Sequence, residues 1–269
     1  MMSGIRVGIV GLGAIGRKLA QALTEGIDGL ELSCVTVGGR DKAQAWLSEH
    51  GIDCPIVAME DLPAHCDIAV ECAPAAVVGD LCTTMLGAGR KVMILSAGAI
   101  LPRPELVELA RAKGGQIIIP TGALLGLDAV SAAAEGQIRS VRMITRKPPR
   151  GLAGAPYLVE NAISVEGLSE PLLVFKGSAG EAAQGFPANV NVAAALSLAG
   201  IGPDATTIEI WADPGVTRNC HRIEVDADSA SFSLEIENIP SENPKTGRIT
   251  ALSALAALRK LGAPLRVGT

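Results

Sequence analysis

The chain has 269 residues, of which 48% are hydrophobic and 2% aromatic, and its net charge is −5. That length holds one large domain or two ordinary ones with ample core. An acidic chain this poor in aromatics lacks both the clustered cations that neutralise a phosphate backbone and the rings on which unpaired bases stack, so nucleic acid is excluded as the expected partner.

No secretory leader is expected, because the opening MMSGIRVGIVGLG interrupts its apolar run with Gly and Arg. The uncharged run 182–203 contains Gln184, Pro187, Asn189, Asn191, Gly200 and Gly202, which argues against a membrane span. Six cysteines without a C-x-x-C pair read as reduced thiols of a cytoplasmic protein. Three histidines without a His/Cys cluster predict no metal site.

In chain order, short apolar strands are predicted at residues 5–10, 30–37, 68–72, 91–95 and 116–119, with helices at 15–24, 42–50, 77–87 and 104–113 between them. Strands apolar on both faces and separated by helices predict a parallel sheet covered on both sides. After Pro120 the rhythm changes: VRMITRKPP, TIEIWAD, HRIEVDAD and ASFSLEIEN alternate like strands of a mainly antiparallel sheet. Helices are expected over 191–199 and over the closing RITALSALAALRKLG. The fold class is therefore α/β, an N-terminal Rossmann parallel sheet plus a second α+β domain. The expected boundaries are 1–120 for dinucleotide binding, 121–240 for substrate and dimerisation, and 241–269 for a helix returning to the first domain.

GIVGLGAIG places Gly11, Gly13 and Gly16 on the G-x-G-x-x-G template, directly after a strand and at the mouth of a helix. The three glycines serve a tight turn, close approach of backbone to a pyrophosphate, and helix–strand packing. The amides of Ala14, Ile15 and Gly16 would then face the phosphates. An acidic ribose ligand is missing from the end of the second strand, VTVGGRD, where Arg40 stands near the place of a 2′-phosphate. The expected cofactor is NAD or NADP. Cys72 and Ala73 in ECAPAA, Ala97 and Gly98 in SAGA, and the loop PTGALLG are small-residue segments after strands, suited to the same ligand.

A nicotinamide enzyme needs a group to manage a proton as hydride leaves. His50 precedes a helix-stop glycine and reads as a helix cap; His65 reads as a structural loop residue. His221, in DPGVTRNCHRIEVD, begins a strand after a polar turn, a position able to face a crevice between domains.

GIVGLGAIG, SAGA, PTGALLGLDA, TRKPP, FPANVNVAAALSLAG and DPGVTRNCHRIEV together resemble the L-aspartate dehydrogenase family across essentially the whole chain. The resemblance implies NAD(P)-dependent oxidation of L-aspartate to iminoaspartate, which hydrolyses to oxaloacetate and ammonia or feeds NAD biosynthesis. It implies His221 as the catalytic histidine, Ala123 and Asn189 as cofactor contacts, and a homodimer formed through the second sheet. A substrate with two carboxylates calls for cations or aligned amides. Thr121, Lys147, Asn191 and Asn219 are the expected substrate contacts, with Arg146, Arg218 and Arg222 as further candidates; capping of the following helix is the competing role for Asn189 and Asn191. Two other readings stay open. A two-domain reductase of the homoserine or dihydrodipicolinate type shares this plan, and the dihydrodipicolinate type would normally show paired histidines, which this chain lacks. A non-catalytic dinucleotide sensor would need a partner or DNA-binding segment, and no spare basic stretch is present.

Overall fold

The computed structural model describes residues 4–187, 190–240 and 247–268. The chain divides into two compact units, one of residues 1–120 and 251–266, the other of residues 121–250 and 267–269.

The first unit is built on five parallel strands, β1 (Ile5–Val10), β2 (Leu30–Thr36), β3 (Ile68–Glu71), β4 (Lys91–Ile94) and β5 (Gln116–Ile118), in the order β2-β1-β3-β4-β5. The interior strands are buried almost throughout, as their unbroken apolar runs require of a sheet covered on both faces. Helices α1 (Ala14–Glu25), α2 (Arg40–Glu49), α3 (Leu62–His65), α4 (Val78–Gly87) and α5 (Pro104–Lys113) connect them. In α1 the buried positions are Gly16, Leu19, Ala20 and Leu23, the i, i+3, i+4, i+7 stripe of an amphipathic helix. α5 starts on Pro104 and stops at Gly114, whose left-handed backbone carries no Cβ penalty. His65 closes the short α3 instead of lying in a loop. His50 is the C-terminal cap of α2, with Nδ1 on the Trp46 carbonyl at 2.9 Å.

The second unit carries α6 (Leu127–Ala134), β6 (Ile138–Lys147), α7 (Pro156–Glu160), β7 (Leu172–Ser178), α8 (Ala179–Gly185), α9 (Asn191–Ala199), β8 (Thr206–Ala212), β9 (Asn219–Ala227) and β10 (Ser231–Asn238). Its sheet runs β10-β9-β6-β8-β7; only β6 and β8 pair in parallel. α8 packs on β7 and β8, and α9 on β8 and α6. α8 opens with a capping box in which Ser178 and Glu181 satisfy each other's backbone amides. Tyr157, Phe175 and Phe186 form a ring cluster with centroids 5.2 to 5.5 Å apart.

The last helix, α10 (Arg248–Gly262), buries Ala254 and Leu258 in the same apolar cluster as Val7, Leu19 and Leu23. Among the described residues no helix is long and apolar enough to cross a membrane.

Candidate functional site

In the first unit the glycine turn meets the loop after β3. A Cβ on Gly11, whose φ is +96°, would lie 2.6 Å from the Cys72 carbonyl oxygen, and one on Gly16 would run into the Gly11 carbonyl oxygen. Those two glycines are dictated by packing. Gly13 is different: the nearest heavy atom to a Cβ there is 4.0 Å away, and its φ of −76° suits any residue. Open space at the second glycine is what an approaching pyrophosphate requires. The first turn of α1 has no side-chain cap and no acidic residue, so the amides of Ala14, Ile15 and Gly16 and the helix's positive end stay available to an anion. The turn fits a dinucleotide.

Around it, at the carboxyl edge of the sheet, stand Cys72, Ala73, Ala97 and Gly98. The N–H of Ala73 is already used, donating to Glu71 Oε1 at 3.0 Å. Burial pushes the Cys72 thiol pKa up, which keeps it protonated and unreactive. Arg40 is exposed and begins α2, instead of standing in the loop before it.

In the second unit the site grows out of strand alternation. On β6, Val141, Met143, Thr145 and Lys147 share the buried face, while Arg142 and Arg146 lie on the other. On β9 the buried set is His221, Ile223, Val225 and Ala227. The register pairs Val141 with Val225, Met143 with Ile223 and Thr145 with His221. The apolar floor therefore turns polar at one end, where Thr145, His221 and Lys147 come together.

His221 is 3% exposed and Lys147 5%. The imidazole Nδ1 is 3.1 Å from Thr145 Oγ1, a bond that orients the ring. Burial first, and then the Lys147 charge, push the His221 pKa down to about 3. Burial also pushes Lys147 down to about 8. At neutral pH the pair is thus a neutral imidazole beside an ammonium.

A cavity of about 590 Å³ reaches this end of the sheet through Lys147 and Asn219, with Arg150, Arg218 and Asn238 also on its wall. No Asp or Glu is among its described lining residues, and its size suits a small metabolite. The imidazole is not one of those lining side chains. Asn238 donates from Nδ2 to the Ala123 carbonyl at 2.9 Å, tying the turn at Thr121–Leu124 to the end of β10. The same alternation puts two candidate cations on the face away from Lys147 and His221. Arg146 lies on the opposite face, bonded to Asp213 at 2.9 Å and stacked over Trp211. Arg222 faces the same way and is bonded to Glu224. Asn191 opens α9. Asn189 lies outside the described residues.

Across 98% of this chain, an L-aspartate dehydrogenase of Bordetella bronchiseptica is 57% identical, and 97% of that relative is covered. The chain belongs to the aspartate dehydrogenase family. Another member, from Bradyrhizobium diazoefficiens, is 56% identical over 99% of this chain and 95% of its own length. Residues 128–261 match the aspartate dehydrogenase C-terminal family, and residues 11–120 the NAD-binding domain family of homoserine dehydrogenase. The solved aspartate dehydrogenase of Thermotoga maritima superposes with a TM-score of 0.76 at 26% identity, covering 98% of this chain and 99% of that one. Scyllo-inositol dehydrogenase of Lactobacillus casei shares the fold alone, at 15% identity, 96% and 87% coverage and a TM-score of 0.54.

Within this aspartate dehydrogenase-family chain, sequence reasoning passed over Thr145 and Asn238. The period-2 pattern of TRK puts Thr145 and Lys147 on one face, but the pairing with His221, 76 residues on, is a matter of register that no local pattern carries. Asn238 reads as the polar end of a strand until its amide is seen on Ala123.

Proposed function

We propose that this chain oxidises L-aspartate to iminoaspartate with NAD or NADP as acceptor, the imine then hydrolysing to oxaloacetate and ammonia or entering NAD biosynthesis. The observation that carries the proposal is the Thr145–His221–Lys147 group, a neutral, oriented imidazole beside a buried ammonium, next to a cavity with no acidic side chain among its described lining residues. A nicotinamide bound there would supply the hydride acceptor for the substrate's α-carbon.

Lys147, with Asn219 and Thr121, takes a substrate carboxylate through charge-assisted hydrogen bonds. His221 accepts the proton that the ammonium of aspartate must lose before its lone pair can expel hydride. In the ligand-free chain the ring holds a proton weakly. Burial is the larger cause of the ring's lowered pKa and the Lys147 charge the smaller; a carboxylate against Lys147 offsets the second, so substrate itself raises the imidazole's proton affinity. Thr145 fixes the ring's orientation. Gly11, Gly13, Ala14, Ile15 and Gly16 would seat the pyrophosphate, and Cys72, Ala73, Ala97 and Gly98 would line the remainder of the cofactor, with Ala123 and Asn189 as the further contacts that the family resemblance implies. Arg40, exposed at the start of α2, meets a 2′-phosphate when NADP is used. We further propose a cytoplasmic homodimer joined through the second unit's sheet. Six free cysteines agree with a reducing compartment, and the dimer follows from the family resemblance, with sedimentation as its test.

The deciding experiment incubates the purified chain with L-aspartate and either NAD+ or NADP+. Absorbance at the reduced-nicotinamide band rises with at least one of them; a flat trace with both refutes the activity.

A further inference from the structure

Glu71 ends β3 and is 1% exposed, yet among the described residues it makes no ion pair. Its Oε1 accepts from the Ala73 N–H at 3.0 Å and the Ser96 hydroxyl at 3.2 Å. Its Oε2 accepts from the N–H groups of Leu95 at 3.2 Å and Ser96 at 2.8 Å. Three of these four donors, from Leu95 and Ser96, lie 24 and 25 residues along the chain, on the loop after β4, so one side chain ties two strand-end loops together. Three of the four bonds come from amides that can only donate, and such a set favours a carboxylate over a carboxylic acid. Burial acts the other way, lifting the pKa, and the four donors oppose it.

A buried carboxylate satisfied in hydrogen bonds but uncompensated in charge is expensive to keep. Its position suggests what compensates it. In a sheet ordered β2-β1-β3-β4-β5 the strand order reverses between the parallel neighbours β1 and β3, and a dinucleotide belongs across that switch beyond the carboxyl ends of the strands. The adenosine half belongs at the end of β2, so the nicotinamide half would come to the loops after β3 and β4, the two that Glu71 joins. The oxidised ring is a cation; the reduced ring is neutral.

We infer that Glu71 is a positioning residue of the cofactor site, whose fixed negative charge sets the site's preference for the oxidised over the reduced nicotinamide. This rests on the nicotinamide cofactor of the proposed function and is independent of aspartate as substrate.

The test is calorimetric binding of NAD+, NADH and ADP-ribose to the full-length chain and to Glu71→Gln. In the variant the NAD+ Kd rises on the order of tenfold, the scale of losing one charge attraction in a protein medium. The NADH Kd rises less than about threefold, and that for ADP-ribose, which lacks the ring, stays put. Glu71→Asp, keeping the charge, holds the NAD+ to NADH ratio within about twofold of wild type. Equal weakening of NAD+ and NADH, or no change in either, overturns the inference. Should Glu71→Gln fail to fold, the unaltered protein decides with benzamide adenine dinucleotide, whose neutral ring replaces the pyridinium. NAD+ must bind several-fold tighter than this analogue, and equal affinity overturns the inference. A wild-type chain that binds none of the dinucleotides refutes the cofactor itself, a separate outcome from an unchanged ratio.

Discussion

Replacing His221 with Gln converts the burial of an imidazole into a measurable dependence of stability on pH. In the folded chain the ring's pKa is pushed down to about 3, against an ordinary value near 6.5 when unfolded. A base with a depressed folded value leaves the unfolded chain holding more protons, so stability falls as pH drops through 6.5 and stops falling near pH 3. At pH 4.5 the unfolded state gains RT ln(1 + 10²), about 2.7 kcal/mol, while the folded state gains almost nothing. Subtracting the small term at pH 7 leaves a loss of about 2.5 kcal/mol, a figure that holds for any folded value below about 4. His221→Gln removes this term and leaves every other titrating group in place. Urea unfolding at pH 7 and pH 4.5, followed by Trp211 fluorescence in a Trp46→Phe background, reads it from the second unit. The wild type loses about 2.5 kcal/mol more than the variant between the two pH values. Equal losses would show that the imidazole is not held neutral by burial, and the account of the site would fall with it.

Three further outcomes follow from the geometry. Gly13→Ala, which meets open space, leaves thermal stability within about 2 °C but weakens NAD+ at least about tenfold, whereas Gly16→Ala, driven against the Gly11 carbonyl, lowers both; identical behaviour of the two would remove the distinction between a ligand glycine and a packing glycine. Arg40→Ala raises the Kd for NADP+ about tenfold and leaves that for NAD+ unchanged, so a constant ratio in calorimetry would exclude Arg40 from the 2′-phosphate. Lys147→Gln raises the KM for aspartate at least about tenfold without altering NADH binding, and in the wild type KM climbs as pH passes about 8, where the ammonium loses its proton; a KM indifferent to both changes would take Lys147 out of the substrate site.

The first unit was legible because its signals are local. Each interior strand is a short apolar run, and GIVGLGAIG contains its own strand, turn and helix mouth. The second unit yielded β6, β8, β9 and β10 through alternation but concealed β7. PLLVFKGS opens on a proline after the irregular stretch ISVEGLSE, and its pairing with β8 is interrupted by a shift at Leu173/Phe175 that spoils the period. α6 was hidden too, since LDAVSAAA offers mostly small residues and no strong apolar stripe. At the site, His221 and Lys147 were visible as residue types with chemistry. Their common partner Thr145 was not, because cross-strand register is settled by the packed sheet. Glu71 was invisible for a related reason: an acidic residue at a strand end reads as a solvated surface group, and only the donors of the distant SAGA segment show it to be enclosed.

The burial of Ala254 and Leu258 against Val7, Leu19 and Leu23 has a consequence for biosynthesis. An emerging polypeptide displays the first βαβ layer long before the helix that covers one side of it has left the ribosome. The nucleotide-gripping half therefore matures last, although it is translated first, and the intervening 130 residues behave as an insertion that must fold without waiting for it. A chain terminated ahead of residue 251 would keep its phosphate-loop signature and still present a bare greasy stripe to chaperones and proteases.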